Sequence, residues 1–412
     1  MMVTILAIMC LLMFAGISHR IEWSPVYPPF AMAACWAAFL CFHACSRSLL
    51  FPIHEETLFF FVVGALAFCV AGLFVHFFYR PKQVAAQYSQ ARVKNVLNVF
   101  LLILCVAFPF YVRFVTGLVD DVASGSFWVI LRQQLIEEHT KTLSGFSLMD
   151  NMVVLADIAV LIAWYHRDTE KWRAWAAFVT FLAYNLLTAG RSGFVFVLVS
   201  LFTIEVLRQR RIPWRPLLVL GLVFVVTFFG LAILVKKAGA SAEASFADNV
   251  PVLVEGFQLY TVGALVAFDN LYQHPSAIPP TQNIDRNFRI IANKLGFRTE
   301  VPYLHAEYST VGPSGIDTNV YTIYFSYFPQ LGTLGSVAMM SILGAGLTWA
   351  YSKAAVGGPR AVIMFAILFY GIPMSGYSEN YFLNLNFLAK MLLVTFLCYG
   401  LRPPRPQVSV PC

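Results

Sequence analysis

Charge is scarce in this sequence: 12% of its 412 residues are Asp, Glu, Lys or Arg, where soluble domains carry roughly 25%. With 59% hydrophobic residues and a mean hydropathy of +0.71, that scarcity excludes a soluble globular chain and points to a membrane protein. The eight cysteines sit in or beside apolar runs or at the tail, and none falls between Lys236 and Pro329. No CxxC spacing occurs, so neither a disulfide framework nor a thiolate metal site is implied, and no metal is expected. Walker loop, HExxH and GxSxG are all missing, so by motif no soluble nucleotide donor and no cofactor are expected. There is no long low-complexity tract and no convincing internal repeat, which weighs against transporters built from inverted halves.

What the chain does have is apolar runs of about 17 to 23 residues, each long enough to cross a hydrocarbon core of ~30 Å at 1.5 Å per residue. With two somewhat shorter runs counted, about eleven spans are expected, near 2–18, 27–45, 57–79, 96–118, 149–165, 172–188, 192–207, 216–235, 332–351, 361–375 and 383–401. The first lacks a basic leader and runs into Trp23-Ser24-Pro25 rather than a small-residue cleavage pattern, so it is read as a span and not a secretory signal. The net charge of +7 matters less than its distribution, and no nucleic-acid partner is expected. Placing the connections after odd-numbered spans inside gathers sixteen basic residues there against three acids, Glu22, Asp168 and Glu170. The other side holds ten basic residues and sixteen acids. Short cytoplasmic loops accumulate Lys and Arg, so this frame puts the amino terminus outside and the carboxyl terminus inside.

The expected fold is therefore all-α and polytopic: a membrane domain over 1–235 with about 8 spans, an external helical loop region over 236–331, and about 3 spans with a cytoplasmic tail over 332–412. A second external feature is the connection from Asp120 to Asp150, where Phe127, Leu131 and Leu135 recur at helical spacing opposite Arg132, Gln133, Glu137 and Glu138, the pattern of an amphipathic surface helix. A third is the tight turn Gly190-Arg191-Ser192-Gly193 between two short spans. In the large interval a helical pattern runs from Val252 to Tyr272, prolines follow at 275, 279 and 280, and a short basic helix is expected over Asp285 to Gly296.

Chemistry that needs charge has few places to live. Arg191, bracketed by glycines at the outer mouth of two spans, can bring a planar two-pronged cation close to phosphate oxygens; its bland alternative is a headgroup anchor. Arg286, Arg289, Lys294 and Arg298 put four cations within thirteen positions on the side otherwise dominated by acids, a field suited to phosphate or pyrophosphate, or else a basic face on lipid headgroups. Arg113, Asp157 and Lys390 share a depth of roughly 7 to 12 Å below the outer surface. They could floor an outward cleft, or Asp157 and Lys390 could form a structural ion pair. His305 and Glu307 are the candidate general bases. Tyr321, Tyr324 and Tyr327 recur at helical spacing and read as an interfacial belt or a sugar-stacking face, and Glu379 and Asn380 add polar groups on the same side.

Thr188-Ala189-Gly190-Arg191-Ser192-Gly193, Asn319-Val320-Tyr321-Thr322, and Tyr327-Phe328-Pro329-Gln330-Leu331-Gly332 with Gly335 together resemble the oligosaccharide repeat-unit polymerases, also called Wzy-type O-antigen polymerases; Ser24-Pro25 before the second span fits as well. The resemblance covers most of the chain in layout. It implies a bacterial inner-membrane enzyme of C-type glycosyltransferase-like architecture that uses no metal. Its substrates would be undecaprenyl-pyrophosphate-linked oligosaccharides, and a chain-length regulator protein is a partner it allows for. Arg191 matches the family arginine, and Asn319 and Tyr321 match the entry to the following span. Gln330 stands where relatives commonly carry an acid, and Thr318 stands where the related ligases place a histidine, which favours polymerase over ligase and leaves the base unassigned. The alternatives are an O-antigen ligase and a lipid-linked sugar transporter.

Overall fold

The computed structural model describes residues 2–82, 88–119, 127–131, 134, 148–188, 190, 192–210, scattered positions between 218 and 233, 246–275, 283–300 and 308–400. It is an all-α bundle whose described residues contain seven helices long and apolar enough to cross a membrane, with three shorter apolar helices beside them. The helices are α1 (Met2–Ile21), α2 (Pro28–Cys45), α3 (Glu55–Phe78), α4 (Gln90–Thr116), α5 (Leu148–Tyr165), α6 (Lys171–Leu187), α7 (Ser192–Gln209), α8 (Phe246–Gln273), α9 (Asn283–Lys294), α10 (Phe328–Val356), α11 (Pro359–Phe369) and α12 (Leu385–Tyr399). A two-stranded hairpin, β1 (Ser309–Thr310) with β2 (Asp317–Thr318), precedes a 3-10 turn at Ile323–Ser326.

Two sub-bundles result. One gathers α1, α2, α3 and α10; the other gathers α4, α5, α6, α7 and α12; and α11 touches α10, α7 and α12 and so ties them together. Between apolar helices in lipid, close backbone approach replaces the hydrophobic drive, and small residues make it feasible. At the α3–α10 contact a Cβ on Gly344 would sit 2.1 Å from the Phe68 carbonyl oxygen, and one on Gly72 would sit 2.6 Å from Thr348 Oγ1. Because 68 pairs with 344 and 72 with 348, these two helices run parallel.

Helix ends sort into two sets. At one, the basic end, Lys94 Nζ lies 2.8 Å from Glu170, which Arg173 also grips; Tyr351 Oη donates to Glu22 at 2.9 Å; and Arg92 Nη2 donates to the Leu397 carbonyl at 2.9 Å. Glu205, fully buried, accepts from Arg167 Nη2 at 2.7 Å, Trp164 Nε1 at 2.8 Å and Gln209 Nε2 at 2.8 Å, while Arg208 pairs with Asp168. At the other, the roof end, His54 Nδ1 meets the buried Asp269 carboxylate at 2.9 Å, Gln273 Nε2 reaches Thr57 Oγ1 at 3.2 Å, and Phe51 N donates to Val311 O at 2.9 Å.

The long interval expected outside the membrane contains α8, which by length and composition could cross one. Its contacts show it lying across the roof end instead. Phe257 meets Phe42, three residues from the end of α2, with ring centroids 5.8 Å apart, and Gln273 meets Thr57, two residues into α3. Those partners sit at one level, yet sixteen helical residues span about 24 Å.

Two expectations about spans are corrected. The run 361–375 is not helical throughout: α11 stops at Phe369, and non-helical backbone continues to Asn384. Pro373 disfavours helix at the residue before it and removes a donor. Tyr381 fills the space beside Gly371, where a Cβ would lie 2.3 Å from its ring. The span expected from 332 begins earlier, at Phe328, and bends at Gly332, whose φ of 64° suits glycine. The expected span 216–235 and the cytoplasmic tail lie largely outside the described residues. Of the surface helix expected between Asp120 and Asp150, residues 127–131 are helical, and Leu131 is buried against Tyr111, Val115 and Tyr184.

Candidate functional site at the roof end

Two segments outside the α-helices meet inside the bundle: 319–327, which comes in from the roof end and includes the 3-10 turn, and 370–384, which continues from α11 as that helix rises from the basic end. The Ile323 N–H donates to the Ser375 carbonyl at 2.8 Å, and Trp36 Nε1 donates to Ser375 Oγ at 3.1 Å. The Tyr324 ring reaches Gly64, nine residues into α3 and so about 13 Å below its start. Backbone without helical bonds is tolerated at such depth only where protein or a cavity receives it. Here Glu379 does much of that: Tyr381 N at 2.7 Å, Phe382 N at 2.9 Å, Leu383 N at 2.7 Å and Tyr327 Oη at 3.1 Å all donate to its buried carboxylate. Thr322 Oγ1, Ser326 Oγ and Tyr381 Oη are buried without a partner, leaving polar capacity inside the knot.

The three tyrosines expected as a belt or a sugar platform are neither. Tyr324 and Tyr327 are fully buried. Tyr324 is ringed by Trp36, Phe60, Phe61 and Phe268 at 4.8–5.9 Å, and its hydroxyl donates to Phe61 O at 3.2 Å. The spacing of three was legible, but only Tyr324 lies in the 3-10 turn, and the fold buries all three tyrosines. Tyr321 is largely buried and stacks on Phe325, with centroids 4.3 Å apart; Asn319 beside it is exposed.

Of the cations, Arg286 and Arg289 lie on α9. The Ile284 N–H donates to Gln330 Oε1 at 3.2 Å, so the residue standing where an acid was expected docks α9 to the first turn of α10, three residues from Tyr327. Arg286 is half-buried, its Nε shielded from solvent with no hydrogen-bond partner, and burial lowers its guanidinium pKa from the usual value. Arg289 Nη1 donates to the Glu300 carbonyl at 3.2 Å, and Arg298 is exposed. Arg191, His305 and Glu307 lie outside the described residues, as does the Lys294 side chain.

The turn that carries Arg191 is nonetheless framed. Thr188 Oγ1 donates to Asn185 O at 2.8 Å, and a Cβ on Gly193 would meet Asn185 Oδ1 at 2.0 Å, so glycine is required there. Asn185 Nδ2 in turn donates to Asp157 at 2.8 Å; this buried amide-carboxylate pair between α5 and α6 is the partner sequence reading did not foresee for Asp157. Lys390 is half-buried on α12, which packs on α5. Arg113, expected to be a buried charge, is exposed on the last turn of α4.

At the basic end a groove of about 530 Å³ is lined by Arg167, Asp168, Arg208 and Gln209. Its two arginines are already matched by Glu205 and Asp168, so it offers less unmatched charge than the half-buried Arg286 does. Comparison with protein-family models, with curated proteins and with solved structures found no match to this chain.

Proposed function

We propose that the protein polymerises undecaprenyl-pyrophosphate-linked oligosaccharide repeat units by glycosyl transfer at the outer face of a bacterial inner membrane, with about eleven spans in a C-type glycosyltransferase-like arrangement. The basic end is read as cytoplasmic and the roof end as periplasmic. In the reaction an acceptor hydroxyl oxygen attacks the anomeric carbon of the donor sugar, the bond from that carbon to pyrophosphate breaks, and undecaprenyl pyrophosphate leaves with the electron pair. The hydroxyl proton passes to a base, for which His305 and Glu307 are the candidates. Activation is stored in the donor, so the protein must align the acceptor and stabilise the charge that develops on pyrophosphate in a water-poor site.

The observation that carries this reading is Arg286, a guanidinium held half-buried at the roof end with its Nε unbonded. Arg289 and Arg298 follow on the same unit; Arg191, outside the described residues, belongs to the connection between α6 and α7, whose described part includes the Thr188–Asn185 bond. Arginine forks match phosphate oxygens two at a time, which a diphosphate leaving group can use. In cells that lack the native gene, Arg191→Ala and Arg286→Ala, each inserted at the normal level, are expected to give single-repeat product where the unaltered chain gives a ladder. Full ladders from both variants refute the assignment.

A transporter of lipid-linked sugar is the second reading, and one observation favours it. Segments outside the α-helices that meet deep between them, as 319–327 and 370–384 do, are a construction used by transporters around midplane sites. Lengthening of product by detergent-solubilised protein, with no sealed compartment present, eliminates transport as the main activity. An O-antigen ligase is separated by its loss phenotype, which is finished polymer left on undecaprenyl pyrophosphate rather than short product.

A further inference from the structure

Helix α9 and the turn after it form a closed unit that displays apolar side chains where a water-facing loop would not. Gly296, with φ 94°, ends the helix: Phe297 N donates to Ala292 O at 3.0 Å and Gly296 N to Asn293 O at 3.1 Å, the paired bonds of a left-handed helix stop. Asn293 and Thr299 then clasp each other, Thr299 N to Asn293 Oδ1 at 2.6 Å and Asn293 Nδ2 to Thr299 O at 2.7 Å, and Thr299 Oγ1 returns to Arg289 O at 3.2 Å. This bonding holds the backbone of the helix end and the turn after it. Yet Phe288 is 50% exposed, Leu295 72% and Phe297 63%.

At 100° per residue, Ile284, Phe288, Ile291 and Leu295 fall within one narrow stripe, while Arg286, Arg289 and Asn293 occupy the opposite side. The stripe begins on protein, where Ile284 packs against the core, and leaves it toward Leu295. Its level is fixed by the Ile284–Gln330 bond to the first turn of α10; Leu331 in that turn and Leu334 in the next are also exposed, Leu334 at 86%. The first turn is the roof end of a helix long and apolar enough to span a bilayer, so it marks the boundary between acyl chains and headgroups.

We infer that α9 is an interfacial helix whose apolar stripe, Phe288, Ile291 and Leu295 with Phe297 beside it, lies in the acyl layer of the leaflet at the roof end. The occupant of that face is lipid. Continuity with the exposed leucines of α10 and the cations on the opposite edge, at the level of anionic headgroup phosphates, are what distinguish it from a face awaiting a second copy of the chain. The inference goes beyond the polymerase reading and does not depend on it. Its consequence is that a phosphate carried by a membrane lipid comes to Arg286 and Arg289 without leaving the bilayer.

The test places a benzophenone side chain at Phe288, at Leu295 and, as the polar-side comparison, at Asn293 of the full chain, with Leu102 on the exposed face of α4 as the lipid control. Each protein is reconstituted in nanodiscs of phosphatidylethanolamine and phosphatidylglycerol, irradiated, and analysed by intact mass. Lipid adducts at 288 and 295 comparable to those at 102, and about tenfold fewer at 293, are expected for an interfacial helix. Adducts at 102 but not at 288 and 295, equal adducts at 288, 295 and 293, or protein-protein crosslinks from 288 and 295 overturn it. The readout needs no enzymatic activity, so a chain inactive in polymerisation that still gives this pattern refutes the function proposed above and leaves this inference standing.

Discussion

Glu379 is the residue that holds segment 370–384 inside the bundle. Three consecutive backbone N–H groups and Tyr327 Oη donate to its two oxygens, so an amide cannot replace the carboxylate: its NH2 would face N–H donors. Glu379→Gln and Glu379→Ala are both expected to lose about 3 kcal/mol or more, because buried donors left unpaired carry their full desolvation cost. Thermal unfolding in detergent reads this, and a midpoint for Glu379→Gln equal to that of the unaltered chain contradicts it. Tyr324 is a different case. Tyr324→Phe forfeits only the bond to Phe61 O, worth about 1 kcal/mol, whereas Tyr324→Ala opens a cavity among four aromatic rings and is expected to cost about 3–5 kcal/mol. Equal midpoints for the two variants would argue against Tyr324 as a core residue. At the basic end, His166 lies in the turn after α5, its Nε2 2.9 Å from Tyr399 Oη. Burial, with Arg208 nearby, lowers its imidazole from 6.5 to about 4. Between those values the unfolded chain takes up a proton that the folded one refuses, so stability falls as pH drops through that window. His166→Gln is expected to flatten the loss of thermal midpoint on acidification over that range, and an unchanged slope contradicts the assignment.

Among the elements, the α3–α10 pair is the most demanding contact. A side chain on Gly344 would enter the Phe68 carbonyl, so Gly344→Leu must separate two parallel helices and is expected to abolish a sharp unfolding transition, whereas Gly346→Leu, whose Cβ meets nothing, is tolerated. Similar melting of the two variants contradicts the close approach. How much of this level could be read in advance depended on the kind of signal. Long apolar runs are decided locally, since lipid requires each span to satisfy its own backbone, and helices α1 to α7, α10 and α12 fall near their expected places. The short helix expected over Asp285 to Gly296 is α9 with its glycine stop. The breaks were harder. Gly371 and Pro373 interrupt the run expected over 361–375, but nothing local states that Ser375 will meet Trp36 or that Glu379 will meet Tyr327. Those are contacts between residues 339 and 52 positions apart. The helix α8 shows the same limit from the other side: its apolarity suits a span, and only its partners reveal that it lies across the roof.

For the whole molecule, the helix ends form two sets of contacts, Glu170 with Lys94 and Arg173 in one and Asp269 with His54 in the other. The candidate site was legible only in part. Arg286 and Arg289 were visible as a cation cluster, but the docking of α9 through Gln330, the Asn185–Asp157 pair under the Arg191 turn and the Glu379 knot all depend on residues brought together by the fold. The reading as a polymerase needs cations from the α6–α7 turn and from α9 to meet one diphosphate at the roof end while the bundle keeps water out. The most direct measurement is to mix the purified, detergent-solubilised protein with a defined undecaprenyl-pyrophosphate repeat unit and resolve the products by mass. The unaltered chain is expected to yield a ladder of multiples with release of undecaprenyl pyrophosphate, and Arg191→Ala and Arg286→Ala to leave the single unit unchanged. A unit that stays single with the unaltered protein, or ladders that persist in both variants, contradicts the account.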